Sequence, residues 1–225
     1  MGSKILLFLV LSLFTLFNVS CEKAVPDTEA EFTVTIRNLS EGENATVLSA
    51  GIFYTNQSGF PLFFKLSLDY GHGLEFLAED GIVDSLLQSL EANQYVKEFG
   101  RFQDIFPGGQ DVSFTFTGQY GDFFNFATMF TDSNDGFYSF DEEGVLLFEP
   151  DGTPFEGDIT KRVWLWDAGT ELNERPYQGE SQPGRSMFFE GEEEQAAVRL
   201  MDDQWRDEYP ELIQVIQIVV TANKQ

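Results

Sequence analysis

The sequence predicts a mainly β chain, an antiparallel β-sandwich with one or two short helices inserted. Three observations carry that reading. Roughly seven or more short stretches alternate apolar and polar residues or are rich in β-branched and aromatic side chains. Turns containing Gly and Pro separate them. Only one stretch, Leu74 to Leu90, repeats its apolar residues at helical spacing.

Phe32-Thr33-Val34-Thr35-Ile36 alternates and is β-branched, so it reads as the first strand. Asn38 to Asn44 is a polar turn region, and Thr46 to Tyr54 is a second strand interrupted at Gly51. Phe60 to Phe64 is apolar and is assigned as a strand, although Pro61 weakens it. Leu74, Leu77, Ala78, Ile82, Leu86, Leu87 and Leu90 form one helical face, which Gly81 splits into two short helices. Glu75, Glu79, Asp80 and Asp84 fall on the outer side. After Pro107-Gly108-Gly109, alternation returns: Val112, Phe114 and Phe116 share a face, and Phe124, Phe126, Thr128 and Phe130 do so in the next run. Val145 to Phe148 with the Pro150-Asp151-Gly152-Thr153 turn reads as a hairpin arm. Ile159 to Trp166, Ala196 to Leu200 and Leu212 to Thr221 complete the strands, the last apolar on both faces as a central strand would be. Asn173 to Glu194 has no period and reads as a long exposed loop.

The N-terminus reads as an address rather than as structure. Lys4 precedes an apolar run of about 13 residues, Ile5 to Phe17, shorter than the roughly 20 needed to span a bilayer. Residues 1–20 are therefore expected to be a signal peptide. Cys21 is the only cysteine and follows small Ser20, an arrangement that resembles a bacterial lipobox, with Asn18 standing where Leu is usual. Lipid attachment at Cys21 is expected, with 21–30 as the tether and 31–225 as the domain. An incidental cysteine beside an ordinary cleavage site is the alternative. The expected location is an outer-membrane or cell-surface lipoprotein, otherwise a secreted protein, with membrane contact only through the lipid.

Composition removes several functions. The 225-residue chain carries 13 Lys+Arg against 38 Asp+Glu, a formal net charge of -25. A nucleic-acid partner would need a basic face, so none is expected. One His and one Cys exclude an intrachain disulfide and any zinc site built on several such ligands. His72 lies between glycines with no nucleophile motif around it, and no G-x-S-x-G, H-E-x-x-H or P-loop is present. An enzyme is not expected. The 24 Phe can supply a large core. Trp164 and Trp166 share a strand face and are expected in the core or supporting a loop.

Most of the carboxylates coat a solvated surface, as Glu190, Glu192, Glu193 and Glu194 are expected to. Two acidic clusters differ because they follow strands: Thr131-Asp132-Ser133-Asn134-Asp135-Gly136 and Trp166-Asp167-Ala168-Gly169-Thr170-Glu171. Converging carboxylates repel unless a cation lies between them. Calcium suits that role, being hard, oxygen-seeking and flexible in geometry. The Gly169 turn could bring Asp167 and Glu171 to one ion. The first cluster is not an EF-hand: counted from Asp132, Asn134 and Glu143 match, but Gly136 falls one place early and strands flank it.

Four stretches, in order, resemble the spondin domain found in F-spondin, mindin and bacterial secreted proteins. They are Ala50-Gly51-Ile52-Phe53, Gly73-Leu74-Glu75-Phe76-Leu77-Ala78-Glu79-Asp80-Gly81, Ser133-Asn134-Asp135, and Trp166-Asp167-Ala168-Gly169-Thr170-Glu171. The resemblance covers about Glu31 to Asn223 and implies a C2-like sandwich holding one calcium ion. It implies Asp135, Asp167 and Glu171 as the ligands. Glu171 departs from the family's usual Asp, and Gly136 stands where an aromatic often follows the first Asp. The function expected on this basis is a calcium-stabilised adhesion or recognition module outside the cytoplasm, its partner an extracellular protein or glycan. The alternatives are a glycan-active enzyme using Asp135 and Glu171 as paired carboxylates, and a sandwich that binds a glycan or partner without calcium.

Overall fold

Phe32, Val34 and Ile36 alternate with Thr33, Thr35 and Arg37, so a strand through them presents one apolar face. In the computed structural model, which describes residues 28–57, 61–68, 72–185, 191–202 and 204–223, that strand is β1 (Glu29–Asn38), and all three apolar residues are fully buried. The chain continues through β2 (Leu48–Gln57), α1 (Leu74–Asp80), α2 (Asp84–Glu91), β3 (Val96–Phe102), β4 (Val112–Gln119), β5 (Asp122–Phe130), β6 (Gly136–Ser139), β7 (Val145–Leu146), β8 (Gly157–Asp158), β9 (Trp164–Asp167), β10 (Arg199–Leu200) and β11 (Ile216–Asn223). The protein is mainly β, and every strand pairing is antiparallel. One sheet has the order β4-β1-β11-β8; the other runs β10-β9-β6-β5-β2-β3, with β7 also paired to β5.

Two hydrophobic cores follow from this layering. The first lies between the sheets. It gathers Phe32, Val34 and Ile36 of β1, Phe116 of β4, Phe124, Phe126 and Phe130 of β5, and Ile216, Ile218 and Val220 of β11. Its aromatic rings form a connected stack, with Phe53 on Phe114 at 4.1 Å between centroids, Phe116 on Phe124 at 5.3 Å, and Phe126 edge-on to Phe140 at 4.7 Å. The second core lies on the outer face of the larger sheet, beneath the helices. Ile52, Tyr54, Ala127, Phe137 and Trp166 from the strands meet Leu74, Leu77, Ala78, Leu86 and Leu90 from α1 and α2. β5 therefore reads as apolar on both faces because both are covered.

The helical stripe breaks at Gly81 as that glycine predicts: α1 ends at Asp80 and α2 starts at Asp84, but Ile82, expected on the apolar face, lies between them and is exposed. Other boundaries differ. β1 starts at Glu29, inside the expected tether, because Ala30 is buried against the core and pairs opposite Gly118. The signal peptide, Cys21 and the rest of the tether lie outside the described residues.

Pro61 to Phe64 forms no strand. Leu62 and Phe63 are buried by a looping segment, with Phe63 edge-on to Trp166 at 4.8 Å. Ile159 to Val163 is not strand: Thr160–Arg162 forms a 3-10 turn, and β9 begins only at Trp164. The C-terminal segment also opens with such a turn, over Leu212–Gln214, before β11. β11 is an inner strand, though β8 covers only two of its residues. The segment from Asn173 onward is irregular but not wholly exposed, since Pro176, Gly179 and Gln182 are buried. β3, β6 and β8 carry no sequence signal of their own. β3 is a half-exposed edge strand, and β6 and β8 are too short to show a period.

Candidate metal centre

Antiparallel register assembles the site. β6 pairs with β9 so that Gly136 stands opposite Asp167. Asp135 immediately precedes β6, and its carbonyl accepts a hydrogen bond from the Ala168 N–H at 3.2 Å. Two carboxylates more than thirty positions apart in sequence are thereby set side by side at one end of the sheet. Both are fully buried.

The loop after β9 then folds over them. Gly169 has φ +73, a conformation that favours glycine, and an added Cβ would meet the Ala196 carbonyl oxygen at 2.7 Å. This turn points successive N–H groups inward. Asp135 Oδ2 accepts from the backbone N–H of Thr170 at 2.8 Å and of Glu171 at 3.2 Å. Asp167 Oδ1 accepts from the Gly169 N–H at 2.7 Å, and its Oδ2 from the Asn173 amide at 2.7 Å. Arg199, opposite Asp167 in β10, places Nη2 2.9 Å from the same Oδ2 and 2.7 Å from Glu194 Oε2.

Two oxygens remain unanswered. Asp135 Oδ1 and Asn173 Oδ1 are buried without a hydrogen-bond partner. A buried acceptor left without a donor is costly, more so on a carboxylate. Burial, and then the neighbouring Asp167 charge, push the Asp135 carboxyl up to about 7. Burial also raises Asp167, against the pull of Arg199, Asn173 and the Gly169 N–H. Arg199 answers the Asp167 charge, but Asp135 Oδ1 has no such partner, and a buried carboxylate left so favours a proton or a further cation.

Glu171 is placed differently. Its backbone joins the site, but its carboxylate turns aside: Oε1 accepts from the Gly191 N–H at 2.8 Å and Oε2 from the Asn134 amide at 3.4 Å. Burial raises this carboxyl too, and the acids that press on it are Asp80 and Glu193. Among the described residues, no three His, Cys, Asp or Glu side chains gather closely enough to hold a metal ion. The structure thus brings Asp135 and Asp167 together, while the Glu171 carboxylate is hydrogen-bonded to Gly191 and Asn134 instead.

No protein-family model and no curated protein matches this chain. The site must therefore be read from its own atoms.

Those atoms include residues that the sequence reading passed over. Glu79, assigned to the outer face of α1, is half-buried and hydrogen-bonded to the Thr170 side chain. Burial first, and then Glu171, Glu75 and Asp80, push it up to about 7. Glu194, assigned to a solvated run, is paired with Arg199. Asn134 clamps the loop through its amide, its Oδ1 accepting from the Glu174 N–H at 3.0 Å. Asn173 and Arg199 carried no motif that could single them out, whereas Asn134 lay within the Ser133-Asn134-Asp135 stretch without being assigned a role. Glu79 did lie within the Gly73–Gly81 stretch that resembles the spondin domain. Of the two tryptophans, Trp166 is in the outer core with Nε1 donating to the Phe140 carbonyl at 3.2 Å, whereas Trp164 is exposed. His72 is exposed.

Proposed function

We propose that the protein is a calcium-binding, spondin-like module that works outside the cytoplasm in adhesion or recognition rather than catalysis. One observation carries the calcium reading: the buried Asp135 carboxylate keeps an oxygen with no donor while its neighbour Asp167 is equally buried. Asp135, Asp167 and the Asn173 amide oxygen are the hard oxygen donors that would hold the ion, and Glu171 would join them by turning its carboxylate inward. The ion would supply charge neutralisation and tie the loop after β9 to the start of β6. Its binding energy would add to folding stability, since the unfolded chain lacks the assembled site.

Extracellular calcium modules bind in the range of about 0.1 to 1 mM, which suits a protein that fills its site only after export. Cys21 would supply a lipid anchor, and an extracellular protein or glycan would be the partner. The exported lipoprotein reading rests on the sequence of residues 1–21.

The test is calorimetric titration of the purified protein with calcium chloride, alongside melting curves in calcium and in chelator. Binding with a raised melting temperature, both lost in Asp135→Ala, supports the reading. Identical melting in calcium and chelator, with no heat of binding up to about 10 mM, roughly ten times the weak end of that range, would overturn it.

A further inference from the structure

The proposed calcium site already contains a cation of its own. Arg199 Nη2 bridges two carboxylates, Asp167 Oδ2 at 2.9 Å and Glu194 Oε2 at 2.7 Å. The two partners are unequal. The Asp167 side chain is fully buried, while those of Glu194 and Arg199 are 25% and 35% exposed. Without the guanidinium, Asp167 would be a buried charge with only neutral donors around it. With it, the site is still incomplete, because Asp135 Oδ1 and Asn173 Oδ1 receive no donor. A guanidinium is planar and directs its N–H groups in one fixed fork. A calcium ion accepts six to eight oxygens from any direction. The same pocket thus holds a cation that serves only one of the two fully buried carboxylates and lacks one that serves both.

Resting on the calcium reading, we propose that Arg199 is a tethered counter-cation that occupies Asp167 until a divalent ion displaces it, and that Glu194 retains the guanidinium after displacement. Because one nitrogen already touches both carboxylates, the exchange needs no long movement. Arg199 loses its contact with Asp167 and keeps its contact with Glu194 at the edge of the site. The arrangement sets the calcium affinity: every bound ion must first break the Arg199–Asp167 pair. It also keeps the empty site folded, which a protein that meets calcium only after synthesis would require.

Two substitutions have opposite expected signs. Arg199→Gln removes the competitor, so calcium binds about tenfold more tightly, while the protein in chelator melts several degrees lower. Glu194→Gln removes the retaining group, so displacement leaves the guanidinium unpaired and calcium binds about tenfold more weakly. General electrostatics also weaken binding when an acid is lost, so the deciding measurement is the double variant. Exchange through Arg199 requires that the Glu194→Gln effect fall below about threefold in the Arg199→Gln background, because the group it served is gone. Additive effects would overturn the proposal, as would unchanged or weaker calcium binding in Arg199→Gln. The wild-type titration separates this failure from failure of the calcium reading. Wild-type binding with additive variants removes the Arg199 role alone, whereas no binding in any folded variant removes both. If Arg199→Gln does not fold, Arg199→Lys is the second variant. It keeps the charge without the fork, and its calcium affinity should rise above the wild-type value by a smaller factor; no rise would overturn the proposal.

Discussion

Asp135 is the residue on which the chemistry turns, and its predicament is physical. A carboxylate with two N–H donors on one oxygen and none on the other, beside a second buried carboxylate, favours a proton over ionisation. Its folded-state pKa is raised from 3.8 to about 7, so between those values the native protein holds a proton that the unfolded chain has released. Stability in chelator is therefore present at low pH and lost as pH rises through about 7, and Glu79 adds in the same direction. Melting temperatures of the wild type in chelator should fall from pH 5 to pH 7.5 (both about these values), and Asp135→Asn should flatten that decline. At neutral pH in chelator, Asp135→Asn should be more stable than the wild type by ~2 kcal/mol, since it removes a buried charge of this kind. In calcium, the same substitution should abolish the rise in melting temperature. A variant that destabilised the protein in chelator at pH 7.5 would show that Asp135 is stabilising as it stands.

At the scale of elements, β2 shows how far local sequence reaches. Its strand character is readable, and so is the interruption at Gly51, where the register with β5 shifts. The reason for the glycine is not readable. A Cβ there would run into the Phe102 ring from β3 and the Ala127 carbonyl from β5, so Gly51→Ala should cost about 1–3 kcal/mol by overpacking. Chemical denaturation would measure it, and a loss below about 0.5 kcal/mol would show that the neighbouring ring yields freely.

The segment containing Phe63 makes the opposite point. Its apolar run looks like a strand, yet it is a loop pinned by Phe63 against Trp166 and Phe137. Phe63→Ala should destabilise the protein by about 3 kcal/mol, within the range for burying and then losing a phenyl ring. It should also make the loop more sensitive to limited proteolysis than any change in β1 does. Strand and buried loop use the same apolar residues; only the partners distinguish them.

The whole molecule carries a net charge of -25, and self-repulsion opposes its compact form. Raising sodium chloride from about 0.02 M to about 0.5 M should therefore raise the melting temperature by several degrees in chelator, because the Debye length shrinks well below the spacing of surface carboxylates. A falling melting temperature over that range would mean that exposed pairs such as Arg37–Asp111 and Arg101–Asp84 outweigh the repulsion.

At this scale the division between sequence and structure is clear. Period-2 runs such as Phe32 to Ile36 and the helical stripe from Leu74 to Leu90 state their own conformation, because alternation and three-to-four spacing place apolar groups on one side whatever the partner is. The sequence by itself therefore determined a mainly β chain, two short helices split at Gly81, and the two acidic turns. It did not determine which carboxylates meet. Asp135 and Asp167 became neighbours through the β6–β9 register, Arg199 through the β10 pairing, and Glu79 through the packing of α1 on the sheet. Those are long-range pairings, and a short strand carries no mark of its partner. Only the closed tertiary structure, in which burial makes an unanswered oxygen costly, separates these few carboxylates from the many that face water.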